Sequence, residues 1–302
     1  MESLLARLPS RSRIAVIRLR SMGDCVLTTP ALALLKAYRP DLQVRVVVEP
    51  RFAGIFEDNP DVDEISHKVG VRVDMVLNLH GGTRSMWMTM ASGAKFGVGF
   101  GHHRFSAIYS DRIPRAQEIL GEERPAHTAE HLASAMFWLG VPHSKIPRAK
   151  LIASRSTDYP PYLVLHPFAS APDKAWPAER FVALAAHMEG AGLLPIIVAG
   201  PVDDVSPFSE FLVLRHPPLA ELKNLMSGAA LFIGNDSGPA HVAAAFGIPV
   251  VVLFGPSDPA TWAPWRTESR VLTSRGSLAE ITIEEVMAAA QALRRENAKA
   301  GA

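Results

Sequence analysis

Leu231-Phe-Ile-Gly-Asn-Asp-Ser-Gly-Pro-Ala-His-Val-Ala-Ala-Ala-Phe-Gly-Ile-Pro-Val-Val-Val-Leu-Phe-Gly-Pro-Ser-Asp-Pro259 reads as a strand, a polar turn, a short helix, a strand and a second polar turn. Residues 229–233 form a short apolar run of the kind that fills a strand buried on both faces. Asn235, Asp236, Ser237 and Gly238 then supply side-chain oxygens and a flexible glycine, and Pro239 stands where a first helical residue is expected. Residues 240–246 form a helix of small side chains, stopped by Gly247 with Pro249 just beyond, and 248–254 return to the sheet. A strand whose carboxyl end feeds a helix through a Ser/Gly turn offers unbonded N–H groups and partial positive charge, a natural seat for phosphate. The same shape also fits an ordinary, well-capped βαβ unit.

The alternation runs through the rest of the chain. In the first half, strands are expected over 14–19, 44–48, 64–67, 74–79 and 95–100. Helices are expected over 25–38, 51–57, 83–92 and 129–139, while 101–125 are polar with little periodicity. In the second half, strands are expected over 162–166, 194–199, 211–214 and 270–273, and helices over 178–189, 219–229 and 283–295. A Trp/Pro-rich loop, Trp262-Ala-Pro-Trp265, lies between. The interval 147–161 carries three prolines and reads as a linker. This predicts an α/β protein of two Rossmann-like domains, 1–155 and 156–302, each a doubly wound parallel sheet. Ligands of such sheets sit at the carboxyl ends of strands, so the cleft between the halves is the expected site.

The 302 residues suit two domains of about 150. Lys and Arg number 31 against 30 Asp and Glu, a balance that marks neither a nucleic-acid footprint nor a polyanion as main ligand. Arg7, Arg11, Arg13, Arg18 and Arg20 crowd the first 20 residues, as solvated surface or as a weak attraction to anionic lipid. Residues 1–13 lack the apolar core of a signal peptide, and no window approaches the roughly 18 apolar residues of a membrane span. Cys25, the one cysteine, excludes an intrachain disulfide and a Cys-rich zinc site. The expected location is cytoplasmic.

Neither familiar phosphate fingerprint is present. A missing Gly-x-Gly-x-x-Gly after the first strand weakens a nicotinamide dehydrogenase reading, and a missing Gly-x-x-x-x-Gly-Lys-Ser/Thr counts against an ATPase. Asp61-Val-Asp63 spells a metal-binding Asp-x-Asp, but its Pro-flanked turn reads as surface. Asp24 ends the first strand's turn and starts a helix, so it either caps that helix or serves as a general base for a bound acceptor. Cys25 beside it reads as a small packed residue. Lys174 stands in a loop after a strand, as solvated surface or as a cation for phosphate oxygens, with the Ser170 hydroxyl nearby. Trp176-Pro177 fixes the entry of the helix over 178–189 by packing. His241 is one turn into the helix of the opening stretch, either buried and satisfied or reaching the same phosphate.

Three blocks together resemble glycosyltransferase family 9, the ADP-heptose:lipopolysaccharide heptosyltransferases: Ile17-Arg-Leu-Arg-Ser-Met-Gly-Asp-Cys-Val-Leu-Thr-Thr-Pro-Ala-Leu32, His166 through Pro177, and Gly234-Asn-Asp-Ser-Gly-Pro-Ala-His241 through Pro259. Weaker agreement at Asn78-Leu-His-Gly-Gly-Thr-Arg-Ser85 and Asn59-Pro-Asp-Val-Asp63 extends it over nearly the whole chain. The resemblance implies a GT-B architecture, two facing Rossmann-like domains, with the N-terminal one binding the acceptor and the C-terminal one the nucleotide-sugar. It allows the last helix to pack back on the N-terminal domain. It implies inverting transfer from ADP-heptose to a lipopolysaccharide inner-core-type acceptor, with no metal and no cofactor. Asp24 takes the catalytic base position and Lys174 assists the leaving diphosphate. Ser170, Asp236, Ser237, Gly238, Pro239 and His241 fall on the donor side, and Arg18, Ser21 and Arg84 on the acceptor side, where cations suit an anionic glycolipid. Peripheral association with the inner membrane is left open.

The chain departs from the family at several points. Between residues 200 and 214, where the family reads the nucleoside, it is shorter, and Asp203 or Asp204 is the candidate for ribose. Phe168 replaces a common glycine and Asn78 a common Asp. Two alternatives therefore stand beside the heptosyltransferase: the same chemistry with another nucleotide-sugar, and a catalytically silent nucleotide-sugar-binding relative. Retention of both Gly23-Asp24 and Lys174 argues against the silent one.

Overall fold

A computed structural model describes residues 2–70, 72–154, 159–274 and 276–300. The chain divides into two compact units, Met1–Ile152 and Ala153–Ala302; the boundary expected between 155 and 156 lies outside the described residues. The first unit contains β1 (Arg13–Ile17), α1 (Met22–Tyr38), β2 (Gln43–Val47), β3 (Glu64–Ser66), β4 (Met75–Asn78), α2 (Thr83–Ala91), β5 (Phe96–Phe100), β6 (Asp111–Ile113), α3 (Ala116–Leu120) and α4 (Thr128–Leu139). The second contains β7 (Tyr162–His166), α5 (Ala178–Gly190), β8 (Leu194–Ala199), β9 (Leu212–Arg215), α6 (Leu219–Gly228), β10 (Leu231–Asn235), α7 (Gly238–Ala245), β11 (Val250–Phe254), α8 (Pro259–Trp262), β12 (Ser269–Thr273) and α9 (Ile283–Ala300).

Each unit builds one parallel six-stranded sheet. The orders are β3-β2-β1-β4-β5-β6 and β12-β11-β10-β7-β8-β9, the same doubly wound pattern twice. The order in which strands are added reverses between β1 and β4 and between β7 and β10, so each unit has one crevice outside its strands' carboxyl ends where a ligand is expected. The central strands are apolar because helices cover both faces: β4, β10 and β11 are buried at every residue.

α1 shows how the sequence tolerates an apparent breaker. Pro30 lies inside it and has no N–H for the carbonyl of Val26, four residues back. The Thr29 hydroxyl donates to that carbonyl instead, at 2.8 Å. In the second unit Trp176, Phe181, Phe208 and Val251 share one core with Val286, Ala290 and Leu293 of α9, so the last helix spends its apolar face on its own sheet. Trp176 is 1% exposed, its ring meets Phe181 edge-on at 4.9 Å, and its Nε1 donates to the Ile281 carbonyl at 2.8 Å. That anchors the entry to α5, as the Trp-Pro pair predicts.

Differences from the sequence expectations are local. β6 and α3 fall in the 101–125 stretch, and at three and five residues they are too short to show a period. α7 starts at Gly238, two residues earlier than expected, because Pro239 fits a helix's first turn where no N–H is required. Part of the Trp/Pro-rich loop is the single turn α8, capped by Asp258, which accepts from the Ala260 N–H at 3.0 Å. Asp61 and Asp63 are each taken by a lysine, Asp61 by Lys150 at 2.6 Å and Asp63 by Lys36 at 2.8 Å. The Asp-x-Asp is a structural turn.

Candidate active site

The crevice of the first unit lies where the chain leaves β1 and β4. Arg18, just past β1, is 8% exposed. Its Nη1 donates to the Leu79 carbonyl beyond β4 at 2.6 Å, and its Nη2 pairs with Asp24 Oδ1. One guanidinium thus ties both loops of the crevice to the candidate base. The other oxygen of Asp24 accepts from the Ser21 hydroxyl at 3.1 Å and the Ser21 N–H at 3.3 Å. Asp24 is therefore both a helix-start residue and a carboxylate fixed by three donors from two side chains and the backbone. Arg18 and Ser21, expected on the acceptor side, both bond this carboxylate; Arg84 is exposed and reaches Glu49 at 3.2 Å. Burial pushes the Cys25 thiol up to about 12, so it is an inert core residue.

Asn78 explains its own departure from the family pattern. Its Oδ1 accepts from the N–H groups of His80 and Gly81, at 3.1 and 3.0 Å, while its Nδ2 donates to Thr89 at 3.1 Å. An Asp could close the turn but has no proton for Thr89.

Beyond β5, sequence reading missed an aromatic and histidine cluster. Phe100 stacks on His131 with centroids 4.0 Å apart, His102 lies 5.2 Å from His131, and His103 Nδ1 is 3.2 Å from the Tyr109 hydroxyl. His102, His103 and Tyr109 come from the stretch without periodicity, and Phe100 and His131 from the separate elements β5 and α4, so no pattern linked them. A cavity of about 770 Å³ is lined by His102, His131, Arg115, Gln117, Glu118 and Glu123. Burial, and then the charges of His102 and Arg18, lower His103 and His131 from 6.5 to about 4. Both are neutral when folded and take up protons near 6.5 when unfolded. Their contribution is intact above pH 6.5 and is lost as pH falls toward 4. Denaturant melts between pH 7 and 5 are expected to show falling stability, with a shallower fall in the His103→Gln/His131→Gln variant. An identical pH slope in that variant would remove these rings from the effect.

The second unit repeats the arrangement at β7 and β10. Asn235, fully buried, ends β10 and spans the crevice. Its Oδ1 accepts from the Trp176 N–H at 3.0 Å and its Nδ2 donates to the Pro167 carbonyl at 2.8 Å. This pins the loop after β7, which ends in a 3-10 turn at Pro172–Lys174. Gly255 lets that turn come close: a Cβ there would sit 2.9 Å from the Asp173 carbonyl. Lys174 Nζ consequently donates to Ser257 Oγ at 2.8 Å. Asp236 lies at the same place, its carboxyl pushed up by burial against the pull of the Ser257 hydroxyl and the Lys174 charge.

Ser257 lies in the third block with no motif of its own. The signal was available, since it follows the carboxyl end of β11, where a parallel sheet places its ligand contacts. No side chain caps α7: Ser237 occupies the N-cap with extended backbone, and its buried Oγ has no hydrogen-bond partner among the described residues. The first-turn N–H groups are thus left for an anion, beside a lysine and two hydroxyls. His241, one turn into α7, is 5% exposed with its ring 6.4 Å from that of Trp262. Ser170 lies on the wall of a cavity of about 440 Å³ with Phe168, Asp203, Asp204 and Phe208. Phe168 meets Phe208 edge-on at 5.9 Å, filling space a glycine would leave open. Asp203 is committed to the Gly200 N–H at 2.7 Å, and Asp204 is exposed.

Among the described residues no group of three or more His, Cys, Asp or Glu could hold a metal ion. The sequence model of glycosyltransferase family 9 (heptosyltransferase) matches residues 65–290. Lipopolysaccharide heptosyltransferase 3 of Escherichia coli is 26% identical over 82% of this chain and 84% of that protein. The solved glycosyl transferase family 9 protein of Veillonella parvula superposes with a TM-score of 0.85 at 24% identity, over 95% of this chain and 98% of that one. ADP-heptose lipopolysaccharide heptosyltransferase II of Escherichia coli gives 0.80 at 19% identity, over 94% and 99%. The fold is GT-B.

Proposed function

Because the chain belongs to glycosyltransferase family 9, we propose that it moves a heptose from ADP-heptose to a lipopolysaccharide inner-core-type acceptor, by inverting transfer that needs no metal. The observation that carries this reading is the Lys174–Ser257–Asp236 group set against the uncapped first turn of α7. A cation, hydroxyls and free N–H groups at one point fit the diphosphate of a nucleotide-sugar. Asp236, Ser237, Gly238, Pro239 and His241 form the donor side. The nucleoside takes the cavity lined by Ser170, where the exposed Asp204, which accepts from the Ser206 N–H at 2.9 Å, presents its carboxylate to a ribose hydroxyl.

In the reaction, Asp24 accepts the proton of the acceptor hydroxyl as its oxygen bonds to the anomeric carbon. The bond from that carbon to the diphosphate breaks, its electron pair leaving with ADP, and a single displacement inverts the centre. Negative charge grows on the diphosphate, where Lys174, Ser257 and the α7 N–H groups already stand. Those donors support the metal-independent reading. Arg18 is a positioning residue for Asp24, while Ser21 and Arg84 lie toward the acceptor, at the cytoplasmic face of the inner membrane. The 1–155 half is thus the acceptor domain and the 156–302 half the donor domain.

Calorimetric titration with ADP, UDP and GDP in excess EDTA tests the donor assignment. ADP is expected to bind selectively, followed by turnover of ADP-heptose. Preference for UDP or GDP would keep the chemistry and change the donor. Binding of none would favour the silent relative.

A further inference from the structure

Few large apolar side chains remain exposed among the described residues, and two of them share α2: Trp87 at 60% and Met90 at 53%. Ser85, Met86 and Thr89 bury the opposite face. At 100° per residue, Met90, Thr83, Trp87, Ala91 and Arg84 form one continuous exposed arc. The helix opens just past β4, on the same carboxyl edge of the sheet as Asp24 and His80.

The charge around this arc has one sign in excess. Residues 75–110 contain no Asp or Glu but hold Arg84, Lys95 and Arg104. Arg84 and Arg51, at 59% and 65% side-chain exposure, share the single carboxylate of Glu49, and Arg20 is exposed at the end of β1. Of the arginines that crowd the N-terminal sequence, Arg20 joins this patch, while two others do not. Arg13 opens β1 at its other end, and Arg18 is buried.

We infer that the Arg84–Trp87–Met90 face of α2 is a docking surface for an anionic lipid bilayer. A tryptophan and a flexible apolar side chain flanked by guanidinium groups match the interface between head groups and acyl chains. Two apolar side chains on one short helix are far below the roughly 800 Å² per partner of a stable protein interface. No helix among the described residues is long and apolar enough to cross a membrane; the contact inferred here is made by a surface. The inference rests on the proposed acceptor being a glycolipid. Docking by this face brings the head group of such a lipid to the edge that carries Asp24, without extracting it from the bilayer.

Co-sedimentation of the full chain with phosphatidylglycerol/phosphatidylethanolamine vesicles, against phosphatidylcholine vesicles, tests it. The wild type is expected to bind the anionic vesicles, to be released by added salt and to ignore the neutral ones. Trp87→Ser/Met90→Ser is expected to lower partitioning by about tenfold or more, the scale of withdrawing two large apolar side chains from a bilayer. ADP affinity and transfer to a de-acylated, soluble acceptor should be unchanged in that variant. Equal vesicle binding by variant and wild type, or none by the wild type, overturns the docking surface. So does a wild-type dimer in sedimentation velocity that the double variant converts to monomer, which would make the face a self-interface. If vesicles bind by this face but no nucleotide binds, the heptosyltransferase reading fails and the docking surface stands.

Discussion

Asp24→Asn is expected to cut turnover by roughly 100-fold or more, the usual scale for loss of a positioned general base, while the affinity for ADP stays within about twofold of wild type. The substitution is nearly isosteric, so Arg18 can still donate to the Oδ1 of the new side chain and the Ser21 hydroxyl can turn to accept from its Nδ2. What is removed is the lone pair that would receive the acceptor's proton. The competing role for Asp24 is a helix start, and losing a cap costs about 1 kcal/mol, which lowers stability without touching the rate of folded enzyme. Thermal melts and single-turnover transfer from ADP-heptose to a de-acylated acceptor separate the two. A small drop in melting temperature with near-normal turnover would leave Asp24 as a cap and remove it from the chemistry.

The sequence reached the fold by way of strands that needed no context. The runs at 162–166 and 194–199 are mostly apolar because both faces of a parallel sheet are covered, and their bounds match β7 and β8. β6 and α3 were invisible because three and five residues take their structure from neighbours rather than from a period of their own. The candidate site was legible at Asp24, Lys174 and Ser237, each on the segment that follows a strand's carboxyl end and in a block shared with the family. It was less legible where a side chain's role depends on its partner. Arg18 reads in sequence as a cation for an anionic acceptor, yet folding buries it between Leu79 and Asp24. Ser257 reads as a turn serine until Gly255 brings the Asp173 carbonyl, and so Lys174, against it. The histidine cluster of the first unit carried no signal, because the rings of His102, His103 and His131 come together only once β5 and α4 are in place.

Lys174→Ala is expected to weaken ADP binding by about 1.5–3 kcal/mol, the worth of a charge-assisted hydrogen bond, or roughly 10- to 150-fold in Kd. Without ligand, Lys174 is held by the neutral Ser257 hydroxyl and by attraction to a carboxyl that burial pushes toward its protonated form. A diphosphate offers a stronger partner than either, so the ammonium gains on binding what a surface lysine would not. Removing it also removes the charge that draws the Asp236 proton off. Asp236 is then expected to titrate at higher pH, and the residual ADP affinity to fall more steeply as pH rises and a carboxylate forms beside the phosphates. Lys174→Arg tests the geometry, since its broad planar fork does not fit the point contact with Ser257 and should restore charge with only part of the affinity. The effect on turnover should exceed that on binding, because charge on the diphosphate is greatest as the glycosidic bond breaks. Equal losses in kcat/KM and in ADP affinity would assign Lys174 to holding the donor alone, and unchanged affinity would return it to the surface.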